Sequence, residues 1–309
     1  MDRFSRWLQK KFVEEKAVKG NMDSRLLYGS LEAWVSIIGN LALFALKLFS
    51  GLAARSISII ADAFHTLSDV ISSIVILFGF KFSSKGPDRE HPYGHGRLEI
   101  IATLVIAILL ILTGAEFLKA SLLRFRHPLK VESGWEILII LLISAVSKEW
   151  MAKFSWLLGE TIDSSALQVD AWHHRSDAIA SVLVAIGNVV AAFGITWVDP
   201  LLGVVVSALI IYTGYDFAVS SGNRLLGQSP SELMIEEICK QAKSVAGIEE
   251  VHQVQVHDYG THQEISLHVE VDEQMSLITA HDLSEIVEKM LAEKYQAKTV
   301  VHIEPKKGD

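Results

Sequence analysis

A single cysteine, Cys239, stands among the 309 residues of this chain. That scarcity excludes an intrachain disulfide framework and any metal site built on several thiolates. Metal ligands in such a chain are His, Asp or Glu, a donor set suited to borderline and hard divalent ions rather than copper(I). Low-complexity stretches are absent, and proline is scarce at 6 residues. The first 28 residues lack an apolar h-region; they are polar and basic through Arg3, Arg6, Lys10, Lys11, Lys16, Lys19 and Arg25. No cleavable signal peptide is therefore expected, and Glu14 and Glu15 interrupt the run against a transit peptide. The zinc-hydrolase signature H-E-x-x-H does not occur in the sequence.

What is abundant is apolar: 50% of the residues are hydrophobic and the mean hydropathy is +0.33. Six apolar segments can be read, Ala33–Leu52, Ser56–Phe80, Leu98–Leu118, one from Trp135, Ser164–Gly194 and Pro200–Tyr215. Each is near the roughly 20 residues that cross a hydrocarbon core, allowing for tilt. The fourth is the weakest, because Lys148 and Glu149 follow its charge-free run Ile137–Ser147. In the first, Asn40 suits a bond between helices, and Lys47 near one end suits snorkelling to the interface. An even number of spans puts both termini on one side. The basic N-terminus and Lys81, Lys85, Arg89 and Arg97 favour the cytoplasm, although Arg124, Arg126 and Lys130 form an equally basic turn.

From Ser231 the pattern becomes that of a soluble domain. Ser231–Val245 has helical period after a capping-like start, and Glu249–Asp258 and Glu264–Val271 alternate like strands. Thr279–Tyr295 reads as an amphipathic helix with a T-x-x-D start, and Thr299–Glu304 as a last strand. The expected fold is a membrane α-helical bundle of six transmembrane helices with a C-terminal cytoplasmic α+β domain in the order α-β-β-α-β. The expected divisions are 1–28, a tail; 29–222, the bundle; and 223–309, the cytoplasmic domain. Residues 231–309 carry 7 Lys and Arg against 16 Asp and Glu, a net of −9 that leaves +1 elsewhere. That acidic balance argues against nucleic acid and suits cations.

Against this apolar background the charged residues stand out. His173 and Asp177 are four residues apart in the fifth segment, as are His65 and Asp69 in the second, so each pair shares one helix face. Ionisable groups at membrane depth are costly and mark function. Two helices that each offer an imidazole and a carboxylate supply a tetrahedral set of nitrogen and oxygen donors. Such a set binds metal with its carboxylates ionised and its imidazoles neutral, so it can exchange a divalent cation for protons. Asp62 and Asp170 precede the two imidazoles as hydrogen-bonding orienters, entry charges or caps. His174 points about 100° from His173 and so lies off that face.

Two further constellations are candidates. Asp88, His91 and His95, in DREHPYGHG, can fold three ligands around one ion, or can be a solvated loop. The tail holds six of the twelve histidines. Strand parity places His268 opposite the apolar face of its strand and puts His302 and Glu304 on one face. His252 shares parity with Val254 and Val256, so a structural role competes there.

Together these residues resemble the cation diffusion facilitator family, over nearly the whole chain. The resemblance implies a homodimeric, six-span exporter of divalent metal in exchange for protons, with no enzymatic step. It matches a transport site to His65, Asp69, His173 and Asp177, a loop site to Asp88, His91 and His95, and a cytoplasmic zinc site to His252, His268, His281, His302 and Glu304. Two imidazoles with two carboxylates is the pattern associated with zinc-selective members; Fe²⁺, Mn²⁺, Cd²⁺ or Co²⁺ is the alternative cargo. The implied setting is the lipid of a bacterial inner membrane, with both termini cytoplasmic. The family's charged pair at the crossing of spans three and six matches Arg97, but its acidic position aligns with Asn223. A membrane-anchored metal sensor and an intramembrane zinc hydrolase are the rival classes, and a closed four-ligand set counts against the hydrolase.

Overall fold

The computed structural model describes residues 3–14, 24–54, 57–126, 135–192, 197–260 and 262–306. The turn around Pro128 and Lys130, Lys16 and Lys19 of the basic tail, and Gly194 lie outside these residues. Two compact units emerge, residues 1–84 with 98–222, and residues 85–97 with 223–309.

The first unit begins with a short helix α1 (Arg3–Gln9), continued by a π-helical turn at Lys10–Glu14. Six long helices follow: α2 (Ser24–Ala54), α3 (Ile57–Ser83), α4 (Arg97–Arg126), α5 (Trp135–Thr161), α6 (Ser165–Ala192) and α7 (Val198–Leu226). Among the described residues α2, α3, α4 and α7 are long and apolar enough to cross a membrane. Helices α5 and α6 are of similar length but carry Lys148, Glu149 and Lys153, and Asp170, Arg175 and Asp177, in their runs.

The unit buries charged and polar side chains within its apolar core and exposes large apolar ones. Trp34, Ile38, Phe49, Ile71, Phe78 and Val146 are exposed, whereas Glu32, Asn40, Lys47, Asp69, Lys148 and Asp170 are buried. Helices satisfy their own backbone groups, so only side chains need partners in this interior. Helix α2 lies along α3 and α5 along α6, with further contacts from α2 to α5 and from α3 to α6. Small residues permit the close approaches. A Cβ on Gly39 would lie 2.9 Å from Met151 Sδ, and one on Gly214 3.0 Å from the Ala107 carbonyl. The N-terminal residues also join this core, since Leu8 and Val13 are buried in the cluster that holds Leu27, Leu31, Phe154 and Leu158.

Two expectations about α2 fail. Lys47 does not snorkel: it is 3% exposed, and Nζ reaches Thr66 Oγ1 and Asp62 Oδ2, each at 2.8 Å. An ammonium with two oxygen partners can remain inside, and Asp62 thereby serves Lys47 rather than His65. Asn40 is fully buried, but its amide has no hydrogen-bond partner among the described residues, so it ties no helices together.

The second unit follows the expected order: α8 (Glu232–Lys243), β1 (Glu250–Asp258), β2 (Gln263–Val271), α9 (Leu277–Tyr295) and β3 (Ala297–Pro305). Strand β2 is central, antiparallel to β1 and parallel to β3. Ile238, Val251, Val256, Ile265, Leu267, Val287 and Leu291 form the core between the helices and one sheet face. Ser231 caps α8 by accepting from Met234 N. The cap of α9 is Ser276, which accepts from Thr279 N at 3.2 Å, so the T-x-x-D start lies inside the helix rather than at its cap.

Candidate metal centres

The four residues expected in the bundle come together. Helix α3 supplies His65 and Asp69, and α6 supplies His173 and Asp177, each pair one helical turn apart. Ligand atoms of His65, Asp69 and Asp177 lie within 4.8 Å of one another. His173 Nε2 stands 3.4 Å from Asp69 Oδ1 and 3.9 Å from Asp177 Oδ2. Asp69 and His173 are each 4% exposed, while His65 faces outward.

A fifth member was not foreseen. Lys148 of α5 is 1% exposed, and its Nζ donates to Asp69 Oδ2 at 2.6 Å and to Asp177 Oδ2 at 2.7 Å. The ammonium balances the two carboxylates from between them. In the sequence Lys148 stands out only as the charge that ends the run Ile137–Ser147. Arg175 points away, to Glu149 Oε2 at 3.5 Å and over the Trp172 ring.

Asp170 does not orient His173. It lies on the other side of α6 with His174, whose Nε2 is 3.1 Å from Asp170 Oδ2. His174 Nε2 also meets Ser36 Oγ at 2.9 Å, and Ser36 donates to Glu32 Oε1 at 2.8 Å. Glu32 had not been singled out.

The loop set lies in the second unit. Asp88 Oδ1 accepts from the backbone N–H of Glu90 and His91, at 3.0 and 2.8 Å, and Oδ2 accepts from Lys85 Nζ at 2.8 Å. His91 Nδ1 is 3.4 Å and His95 Nε2 3.5 Å from that carboxylate. In the tautomer that donates His95 Nδ1–H to the Gly86 carbonyl, Nε2 keeps its lone pair towards Asp88. Gly94, at φ +77°, makes the turn that brings His95 back. The Lys85 ammonium, with backbone N–H donors, holds the Asp88 carboxyl well below its ordinary value of 3.8. In Lys85→Ala this carboxyl is expected to titrate closer to 3.8, as read by NMR; an unchanged titration would remove Lys85 from the loop's architecture.

In the sheet, register decides the third set. His252 pairs with His268 across β1 and β2, and His268 pairs with His302 across β2 and β3, giving a row of three imidazoles. His252 does not share the face of Val256, because the β1 register shifts between His252 and Gln255, with Gln253 at φ +50°. This bulge returns Val256 to the buried face while His252 stays with the histidine row. Glu304 Oε1 accepts from His268 Nδ1 at 2.9 Å, and Oε2 lies 3.3 Å from His252 Nε2. The His268 bond holds the Glu304 carboxyl below its ordinary value. His252, His268 and Glu304 can share one ion, with His302 Nε2 3.7 Å from Glu304. His281 is not brought to them; it is exposed on α9 beside Glu285.

Arg97 has no acid from Asn223, yet it is not idle. Its Nε donates to the Asp258 carbonyl at 3.2 Å and its guanidinium lies over Tyr259, while Arg224 takes the Asp258 carboxylate at 2.8 Å.

Residues 33–226 match the family described as "Cation efflux transmembrane domain". This chain belongs to the cation efflux family, the cation diffusion facilitators. Residues 230–306 match its "Cation efflux protein, cytoplasmic domain". An uncharacterized transporter of Methanocaldococcus jannaschii is 35% identical over 83% of this chain and 91% of its own length. The manganese efflux system protein MneP of Bacillus subtilis is 26% identical over 88% of this chain and 95% of its own. Metal tolerance protein C1 of Arabidopsis thaliana is 28% identical over 88% of this chain, which spans 61% of that longer protein. As a member of this family the chain is an integral membrane protein of divalent metal efflux, and members of the family are transporters rather than enzymes.

Proposed function

We propose that this cation efflux protein exports Zn²⁺ in exchange for H⁺ through His65, Asp69, His173 and Asp177. The observation that carries the reading is that Asp69 and Asp177 meet on the buried Lys148 ammonium, with a ligand atom of His65 within 4.8 Å of both carboxylates and His173 Nε2 3.4 and 3.9 Å from them. Zinc accepts four such donors in tetrahedral geometry, and nitrogen donors favour it over harder ions. As zinc enters, Lys148 leaves the two carboxylates, so the pocket is never left with two bare negative charges. On the far side, protons neutralise the ligands and zinc departs. Alternating access would come from rocking of the helices around the site.

The remaining sites are read as auxiliary. Asp88, His91 and His95 hold one ion in the loop, and His252, His268, His302 and Glu304 hold zinc in the cytoplasmic domain, with His281 outside that cluster. The protein acts as a homodimer in a bacterial inner membrane, both termini in the cytoplasm, divided into residues 1–28, 29–222 and 223–309.

Manganese is the second reading, favoured by the relative named as a manganese efflux protein. Proteoliposomes with an imposed proton gradient separate the two. Zinc is expected to accumulate, to stop when a protonophore collapses the gradient, and to be poorly displaced by excess Mn²⁺. Preferred uptake of Mn²⁺ would transfer the assignment to manganese, and zinc uptake indifferent to the gradient would remove the antiport.

A further inference from the structure

Helix α6 carries ionisable groups on two sides. His173 and Asp177 face α3, while Asp170 and His174 face α2, where Glu32 waits. Glu32, Asp170 and His174 are all fully buried, and one ligand atom from each lies within 4.8 Å of the others.

The local hydrogen bonds leave this cluster incomplete. Ser36 and Ser155 both donate to Glu32 Oε1, from α2 and α5. Asp170 Oδ2 lies 3.1 Å from His174 Nε2, while Glu32 Oε2, Asp170 Oδ1 and His174 Nδ1 have no hydrogen-bond partner among the described residues. Among the same residues Asp170 has the His174 imidazole beside it, and no ion pair joins Glu32 to a Lys or Arg. Two carboxylates enclosed in this way lack the counter-charge that Lys148 gives to Asp69 and Asp177. Burial of polar groups at such density without partners is rare and points to a missing ligand.

We propose that Glu32, Asp170 and His174 form a second intramembrane site for a divalent cation, separate from the transport site. A dication would neutralise the two carboxylates and take up the orphaned oxygens at once. The donor set of two oxygens and one nitrogen suits a borderline ion such as zinc. The edge of a tetrahedron with bonds of roughly 2.0–2.2 Å is about 3.4 Å, so atoms within 4.8 Å of one another need to close by no more than about 1.4 Å. A bound ion would join α2 to α6 on the side away from α3.

The test counts zinc on the full-length protein in detergent, in a background where the other sites are removed: Asp69→Asn, Asp177→Asn, Asp88→Asn, His91→Ala, His252→Ala and His268→Ala. One tightly held zinc per chain is expected to remain, with X-ray absorption showing a nitrogen and oxygen shell that includes one imidazole. It is expected to be lost in Asp170→Asn and, separately, in Glu32→Gln, each added to that background. Two isosteric variants guard against a fold lost in one, and monodisperse elution checks both. No zinc in the background protein, as for two carboxyl groups that share a proton, would overturn the site, and so would zinc that survives both substitutions. Transport is disabled throughout by Asp69→Asn and Asp177→Asn, so failure here is separate from failure of the antiport reading.

Discussion

Zinc accumulation in proteoliposomes is expected to be abolished by Asp177→Asn, while the protein still elutes as a folded species. Asn keeps the shape of the side chain but removes one of two carboxylates, and with it the charge that offsets the dication. Loss of hydrogen-bond partners outside the ligand shell already costs about 10–100-fold in metal affinity, so loss of a direct ligand is expected to cost at least about 100-fold. Lys148 would still have Asp69 at 2.6 Å, which keeps the ammonium paired and the helices in register. Asn is preferable to Ala, because it fills the same volume and keeps an oxygen that can accept from Lys148, whereas Ala would leave a cavity and a lost acceptor that could confuse lost transport with lost folding. Unimpaired uptake by a monodisperse Asp177→Asn protein would refute the assignment of the transport site.

The second large effect concerns Lys148. Lys148→Met retains the unbranched stem and deletes the charge, leaving Asp69 and Asp177 together in the interior with no ammonium. Without zinc, the variant is expected to be less stable than the parent by about 3–5 kcal/mol, the typical cost of breaking a buried pair. Zinc should bind more tightly, since it no longer displaces a tethered cation, and should restore most of the lost stability. Turnover should fall, because protons alone then neutralise the carboxylates as zinc departs. Thermal unfolding with and without zinc, combined with zinc titration, reads all three. A variant whose zinc-free stability and zinc affinity match the parent would show that Lys148 does not stand in for the cargo.

Both experiments address a site of which only part was legible in the sequence. Four-residue spacing is a helical rule that needs no tertiary information, and it identified His65 with Asp69 and His173 with Asp177. The same rule says nothing about a residue on a different helix, which is why Lys148 appeared only as a weak point in the fourth apolar segment. Glu32 was hidden in the same way: four residues before Ser36 it reads as an end charge, until α2 places it against Asp170 and His174. Lys47 shows the converse error. Its position near an end suggested an escape to water, but Asp62 and Thr66 of α3 hold it inside.

The cytoplasmic domain follows the same division. Alternation and capping residues set the order of its elements, and parity set the outward face of β2 and β3. Parity counts along one strand, however, and cannot register an inserted residue; the bulge at Gln253 moved His252 into the histidine row. His281 matched by motif but stands apart in space, since its place depends on how α9 crosses the sheet. Local period and residue chemistry thus determined the apolar helices, the α-β-β-α-β order and which side chains can hold metal. Packing between helices and register between strands decided which of them meet, and placed a lysine between Asp69 and Asp177. The physical reason is range: spacing rules act over one turn or one strand, whereas a coordination sphere is assembled across elements far apart in the chain.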